Sequence, residues 1–300
     1  FTPRPGMMIG LDFTQQYILK LGIIFLGIRL SFADFIKFGS IAIPLIIICI
    51  VGVLILVKLL IKKVPISSKM SYLIAIGTSV CGATAIVATA PVINAKKSEV
   101  AYAIANITLF GVIAMLLYPY FAEWYFDNEA LNIGLFLGTS IHETSQVAAA
   151  GLIYDQQFNS PETLNVATVT KLIRNTFLVV LIPLFAFLYN RGELKGQKYS
   201  IFNIFPYFVL GFIGMIIVRN LGDQFYPVGS NNHEIWVNLI EYFKILTTVF
   251  LTMAMAAVGI SINLSELKSM GYKPFVVGLI AAVTVGIISL IYIETLNKFI

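Results

Sequence analysis

Apolar residues in this chain come in nine long runs separated by short polar stretches, at about 16–32, 40–61, 70–93, 99–121, 131–154, 163–189, 203–219, 236–263 and 274–298. Each is near the ~20 residues a helix needs to cross a bilayer. A membrane-spanning strand needs only about ten residues and alternates in polarity. These runs are longer and do not alternate. The pattern therefore predicts an all-α, polytopic membrane protein with about nine transmembrane helices in one domain over residues 1–300.

Composition agrees. The chain is 58% hydrophobic and 12% charged, with a mean hydropathy of +0.89, against about 25% charge in a soluble domain. The net charge of +5 does not point to nucleic acid, because most Lys and Arg sit in short loops, where they orient a membrane protein. Cys49 and Cys81 lie inside apolar runs and suggest neither a disulfide framework nor a metal site. The opening "FTPRPG", with no Met and no signal peptide, reads as an excerpt that lacks an N-terminal part.

Positive residues place loops 62–69 (Lys62, Lys63, Lys69), 190–200 (Arg191, Lys195, Lys198) and 264–273 (Lys268, Lys273) in the cytoplasm. Loops 155–162 and 220–235 carry acids and no internal Lys or Arg, and read as external. One conflict remains. If every run crosses, Lys96 and Lys97 fall outside, and the acidic stretch 122–130 (Glu123, Asp127, Glu129) falls inside. Making runs three and five re-entrant hairpins, entering from opposite faces, removes the conflict. The length of both runs instead favours broken helices that cross.

Two internal echoes suggest inverted repeats, a recurring transporter plan. "GTSVCGATAIVA" at 77–88 matches "GTSIHETSQVAA" at 138–149, and "GIRLSFADFIKFG" at 27–39 matches "GISINLSELKSMG" at 259–271. Tight helix packing by small residues is the plainer account.

The chemistry concentrates at the first pair. Gly77, Thr78, Ser79, Cys81 and Gly82 weaken a helix, and Pro91 ends or kinks it. Freed backbone groups at bilayer depth are tolerated only inside protein or beside a wet cavity. The half-helix ends then offer N–H groups to an anion. At 138–146, His142 shares a helical face with Thr139 and Gln146, and Glu143 lies about 100° round. "HETSQ" is not the zinc motif H-E-x-x-H, since Gln146 replaces the second His, so no metal site is expected. Ser79 or Cys81 with His142 can be written as a triad, without a G-x-S-x-G context. The better reading is a buried polar site with Glu143 as proton or charge partner and His142 titrating near neutrality. In run six, Thr168, Lys171, Arg174 and Asn175 share a stripe. Lys171 and Arg174 are expected to neutralise Glu143 and attract an anionic substrate. Arg29 reads as an interfacial anchor. The Thr-rich eighth run is a plausible partner crossing the third.

The motifs "GTSVCGATAIVATAPV", "GTSIHETSQVAAAG", "TKLIRN" and "LTMAMAAVGISINLSELK" resemble the YeiH-type family of bacterial inner-membrane proteins, named as sulfate exporters. The resemblance runs from about Gln15 to the C-terminus. It looks like a branch of the wider cation/proton antiporter and anion transporter superfamily. That resemblance implies inverted repeats with two broken helices crossing at mid-membrane, runs three and eight being the pair. It also implies one or two further N-terminal helices, and a multi-pass inner-membrane location.

The expected function is a secondary active transporter of a small anion, sulfate or an organosulfonate, coupled to protons. The substrate-binding residues would be Thr78, Ser79, Cys81, Gly82, His142, Glu143, Gln146, Lys171 and Arg174. No cofactor, metal or nucleic acid is expected; the partners are the anion, the coupling ion, the lipid bilayer and a second copy in a homo-oligomer. A cation/proton antiporter using Glu143 and, from another class, an intramembrane hydrolase are the alternatives.

Overall fold

The computed structural model describes residues 5–60, 63–64, 66–90, 92–189, 207–230, 232–261 and 272–298. Pro91, loop 190–200 and most of the segments 259–271 and 264–273 lie outside them. Among the described residues every regular element is helical. The first run joins α1 (Pro5–Phe13), a π turn (Thr14–Ile18), α2 (Leu19–Leu26) and a 3-10 turn (Gly27–Arg29) without a gap. There follow α3 (Phe32–Leu60), α4 (Ser68–Ser79), α5 (Ala83–Thr89), α6 (Lys97–Phe126), α7 (Ala130–Ser140), α8 (Thr144–Phe158), α9 (Pro161–Thr176), α10 (Leu178–Tyr189), α11 (Phe208–Phe225), α12 (His233–Ser261) and α13 (Tyr272–Asn297).

Helices α3, α6, α11, α12 and α13, and the α9–α10 segment, are each long and apolar enough to cross a membrane. On α3 the exposed Ile43, Ile47, Val51, Ile55 and Leu59 recur every fourth residue. Ala42, Ile46, Cys49, Val53 and Val57 are buried on the other face. One apolar side thus meets lipid and the other meets protein.

Runs three and five are broken where the Gly-Thr-Ser echoes lie, but they do not cross. Helix α4 runs parallel to α6: Ser67 donates to the Glu99 carboxylate at their starts, and Gly77 abuts Ile107 further along. Two parallel helices joined by α5 and a short loop require α5 to return. It does so, packing Ile86 on Gly77, while Lys69 Nζ reaches the Asn94 carbonyl at 2.6 Å. The second hairpin is built alike. Gly134 faces Val166 and Gly138 faces Thr170, so α7 and α9 are parallel; Gly151 faces Leu164, so α8 is antiparallel to α9. Tyr154 on the returning arm donates to Glu123 near the end of α6.

The reason is length and backbone. The 12 residues of α4 and 11 of α7 reach about 18 and 16 Å at 1.5 Å per residue, roughly half the hydrocarbon core. At the first tip Gly82 adopts φ +62°, open to glycine without cost, and the chain reverses. Of the nine runs expected to cross, runs three and five therefore form hairpins, entering from opposite faces, and six helices among the described residues are long and apolar enough to span. This also settles the charge conflict. Lys63, Lys69, Lys96 and Lys97 share one face with the first hairpin's base. Glu123, Asp127, Glu129 and Asp155 share the other. Two arginines on that acidic face, Arg29 and Arg219, are each paired with an aspartate, Asp155 and Asp223. Run eight is α12, unbroken over 29 residues; the partner meeting run three is run five.

The helices sort into two layers. A core layer contains α3 to α10 and α13; a thinner panel contains the first run, α11 and α12. Small residues weld the panel: Gly22 sits against Phe250 and Leu251, Gly27 against Phe212, and Gly222 under the Trp236 ring. The layers meet where α12 lies along α8, through the Arg29–Asp155 ion pair at 3.3 Å, and where the Phe32 N–H donates to Asn220 Oδ1 at 3.3 Å.

Candidate functional site

The two hairpin tips meet at mid-depth. A Cβ added at Gly82 would lie 2.5 Å from Glu143 Cγ, so glycine is required there for space as well as for φ. Ile141 (φ −92°, ψ 140°) and Glu143 (φ −100°, ψ 147°) are extended, and Glu143 is the N-cap of α8. The helical face shared by His142 and Thr139, expected from spacing, is interrupted by this break.

Glu143 and Gln146 form a capping box: the Glu143 carboxylate accepts from the Gln146 N–H, and the Glu143 N–H donates to Gln146 Oε1 at 3.3 Å. The carboxylate also accepts from the Ala83 N–H, at the start of α5, and from the Thr108 hydroxyl of α6 at 3.1 Å. Gln146 Nε2 donates to the Thr108 carbonyl at 3.1 Å. Gly111 leaves the space that the Gln146 amide fills. The Glu143 carboxyl group thus sits at the positive ends of both returning arms.

The cations do something other than expected. Lys171 Nζ donates to the carbonyls of Val80 (2.7 Å), Ile141 (3.0 Å) and His142. An ammonium has three donors, so all are engaged. Arg174 donates from Nε to the Ser79 carbonyl (2.7 Å) and from its two terminal nitrogens to the carbonyls of Thr139 and Thr78. Both side chains are wholly buried. The last carbonyls of a helix lack intrahelical partners and carry its negative dipole end. α4 and α7 end inside the protein, and one side-chain pair from α9 serves both. The expected ion pair with Glu143 does not form: among the described residues the ion pairs are Arg29–Asp155, Arg219–Asp223 and Lys244–Glu241.

Beside the tips, between panel and core, lies a cavity of about 300 Å³. Cys81, Ala83 and Thr84 of the first tip line it with Glu143, Thr144 and Ser145 of the second. The panel contributes Leu19, Lys20, Ile23 and Phe208. Of the residues expected to bind substrate, Cys81 and Glu143 reach this cavity. Gly82 and Gln146 hold Glu143 in place; Thr78, Ser79, His142, Lys171 and Arg174 lie buried behind it. The hydroxyls of Thr78, Ser79 and Ser140 and the Nδ1 of His142 are buried without a hydrogen-bond partner. Sequence reasoning missed Lys20, Phe208 and Thr108. Their elements carry no motif, and only packing brings them to the tips. A second cavity, about 430 Å³, lies toward the acidic face between Arg29, Pro161 and Asn165 and the α12 residues Glu241, Lys244 and Thr248.

These features define a polytopic membrane protein with two opposed, tip-to-tip hairpins held by one basic helix. The model of the family Conserved hypothetical protein 698 matches residues 4–278, and the chain belongs to that family. A UPF0324 membrane protein of Fusobacterium nucleatum is 35% identical over 287 residues, covering 94% of this chain and 82% of the relative. One from Streptococcus agalactiae is 35% identical over 93% and 80%. The UPF0324 inner membrane protein YeiH of Escherichia coli is 32% identical over 90% and 74%. No solved structure matches the chain.

Proposed function

We propose that this protein is a secondary transporter of a small anion such as sulfate or an organosulfonate, working in the bacterial inner membrane with its lysine-rich face in the cytoplasm. The observation that carries the reading is the mid-depth cavity between two layers, walled by the start of α8 and by Glu143. Broken helices at mid-membrane, placed between two bundles, are the plan by which transporters alternate access. The sign of the substrate follows from charge. On the cavity wall Lys20 balances Glu143, Lys171 and Arg174 add two positive charges buried behind it, and the α8 N-terminus faces the cavity. A site with positive charge in excess favours an anion. Glu143 occupies the cap position that an anion would take, so neutralising it with a proton frees the helix end. Anion and proton then bind together.

One observation favours a second reading. Glu143 is the carboxylate of the cavity wall, and Thr84, Thr144 and Ser145 line the same cavity. That set suits a cation exchanged for a proton. The hydrolase reading finds no such support, since the Ser79 hydroxyl and His142 Nδ1 each lack a hydrogen-bond partner.

Cys81 separates the two. Cys49 is buried in the core on α3, so Cys49→Ala leaves Cys81 as the single thiol, on the cavity wall. Sulfate or methanesulfonate should slow modification of Cys81 by a small methanethiosulfonate reagent several-fold, more so at acidic pH. In Glu143→Gln the protection should persist and lose its pH dependence. Protection by Na⁺ or K⁺ with none by anions rejects the anion reading in favour of the antiporter.

A further inference from the structure

The ends of α4 and α7 form a set of inward-facing carbonyls: Thr78, Ser79 and Val80 from one tip, and Thr139, Ile141 and His142 from the other. Carbonyls freed where a helix unwinds, at the negative end of its dipole, are what transporters use to coordinate Na⁺. Here they are neither solvated nor left open. The Lys171 ammonium is ringed by three of them and the Arg174 guanidinium by the other three, and each cation bridges both hairpins.

We propose that these are two cation-binding cages whose ligands are built into the chain, and that Lys171 and Arg174 do permanently what a bound monovalent metal ion would do transiently. Two consequences follow. The tips stay joined without any ion from solution, so their junction does not depend on Na⁺ or K⁺. The Lys171 cage also has a chemical identity of its own: emptied of its side chain, it should accept a small cation from solution. Lys171→Ala removes Cγ through Nζ, the outline of propylammonium, and leaves the Val80, Ile141 and His142 carbonyls facing an electronegative hole. The inference concerns how the tips are held. It stands whichever substrate the cavity carries.

The test reads thermal unfolding of purified protein, so its failure is distinct from a failure of the anion reading. Glu143→Gln, which removes the carboxylate charge of the cavity, should show the same Tm in matched sodium, potassium and choline chloride. Lys171→Ala in choline chloride should unfold at least about 5 °C lower, on the scale by which lost buried interactions move the midpoint. Millimolar propylammonium, or Na⁺, should raise that Tm along a saturating curve, while tetramethylammonium, too large and without N–H donors, should not. Two outcomes overturn the proposal. One is a saturable rise of the Glu143→Gln Tm with Na⁺ over choline. The other is a folded Lys171→Ala that no small cation stabilises. The Glu143→Gln arm decides the matter even where Lys171→Ala does not accumulate.

Discussion

Arg174→Met tests whether Arg174 clamps the tips or binds substrate. Methionine keeps much of the apolar stem and removes the guanidinium. Three carbonyls, of Thr78, Ser79 and Thr139, then lose their donors in a wholly buried place. An unsatisfied buried acceptor costs about 1–3 kcal/mol, which puts the gross loss at roughly 3–9 kcal/mol. Relief from burying the guanidinium offsets several kcal/mol of this. The net loss should be about 2–4 kcal/mol, and Tm should fall by about 5–10 °C. Hydrogen exchange would place the damage: amides near both breaks, 78–82 and 139–143, should lose protection together, because one side chain serves both. Arg174→Lys should restore little, since one ammonium cannot match a planar fork aimed at two helices. A variant with unchanged Tm and unchanged tip protection, but with no anion protection of Cys81, would refute the clamp and make Arg174 a ligand.

Gly82→Ala should be severe for its size. Its φ of +62° is rare for a side chain and its Cβ would press on Glu143 Cγ, so about 1–3 kcal/mol of stability should be lost, and anion affinity should fall with it; wild-type binding in a titration would contradict the tip geometry. Gly111→Ala should push Gln146 out of the capping box, lowering stability by the ~1 kcal/mol of a lost cap and Tm with it, with Gln146→Ala abolishing the difference. The Arg29–Asp155 pair joins panel to core on the acidic face, with side chains 11% and 17% exposed. A double-mutant cycle on Tm should give a coupling of about 1 kcal/mol, damped by salt, and a zero coupling would mean the layers are not joined there.

Much of this was legible in the order of residues. Run lengths alone define an all-α membrane protein, because a bilayer admits few other ways to satisfy a backbone. The two Gly-Thr-Ser echoes mark both helix breaks, since glycine and hydroxyl residues weaken a helix wherever they cluster. The lysine count even held the answer on topology, in the misplaced Lys96 and Lys97 and the acids at 122–130. Two things needed the tertiary structure. Whether a broken run continues or turns back depends on the direction of its neighbours, and only the parallel packing of α4 with α6 and α7 with α9 sets that. Where a buried cation points is likewise invisible in spacing. Lys171 and Arg174 look like charges in search of an anion, until six backbone carbonyls from two distant segments are found at their donors. The sequence determined which groups are costly to bury, and the fold decided which partners meet that cost.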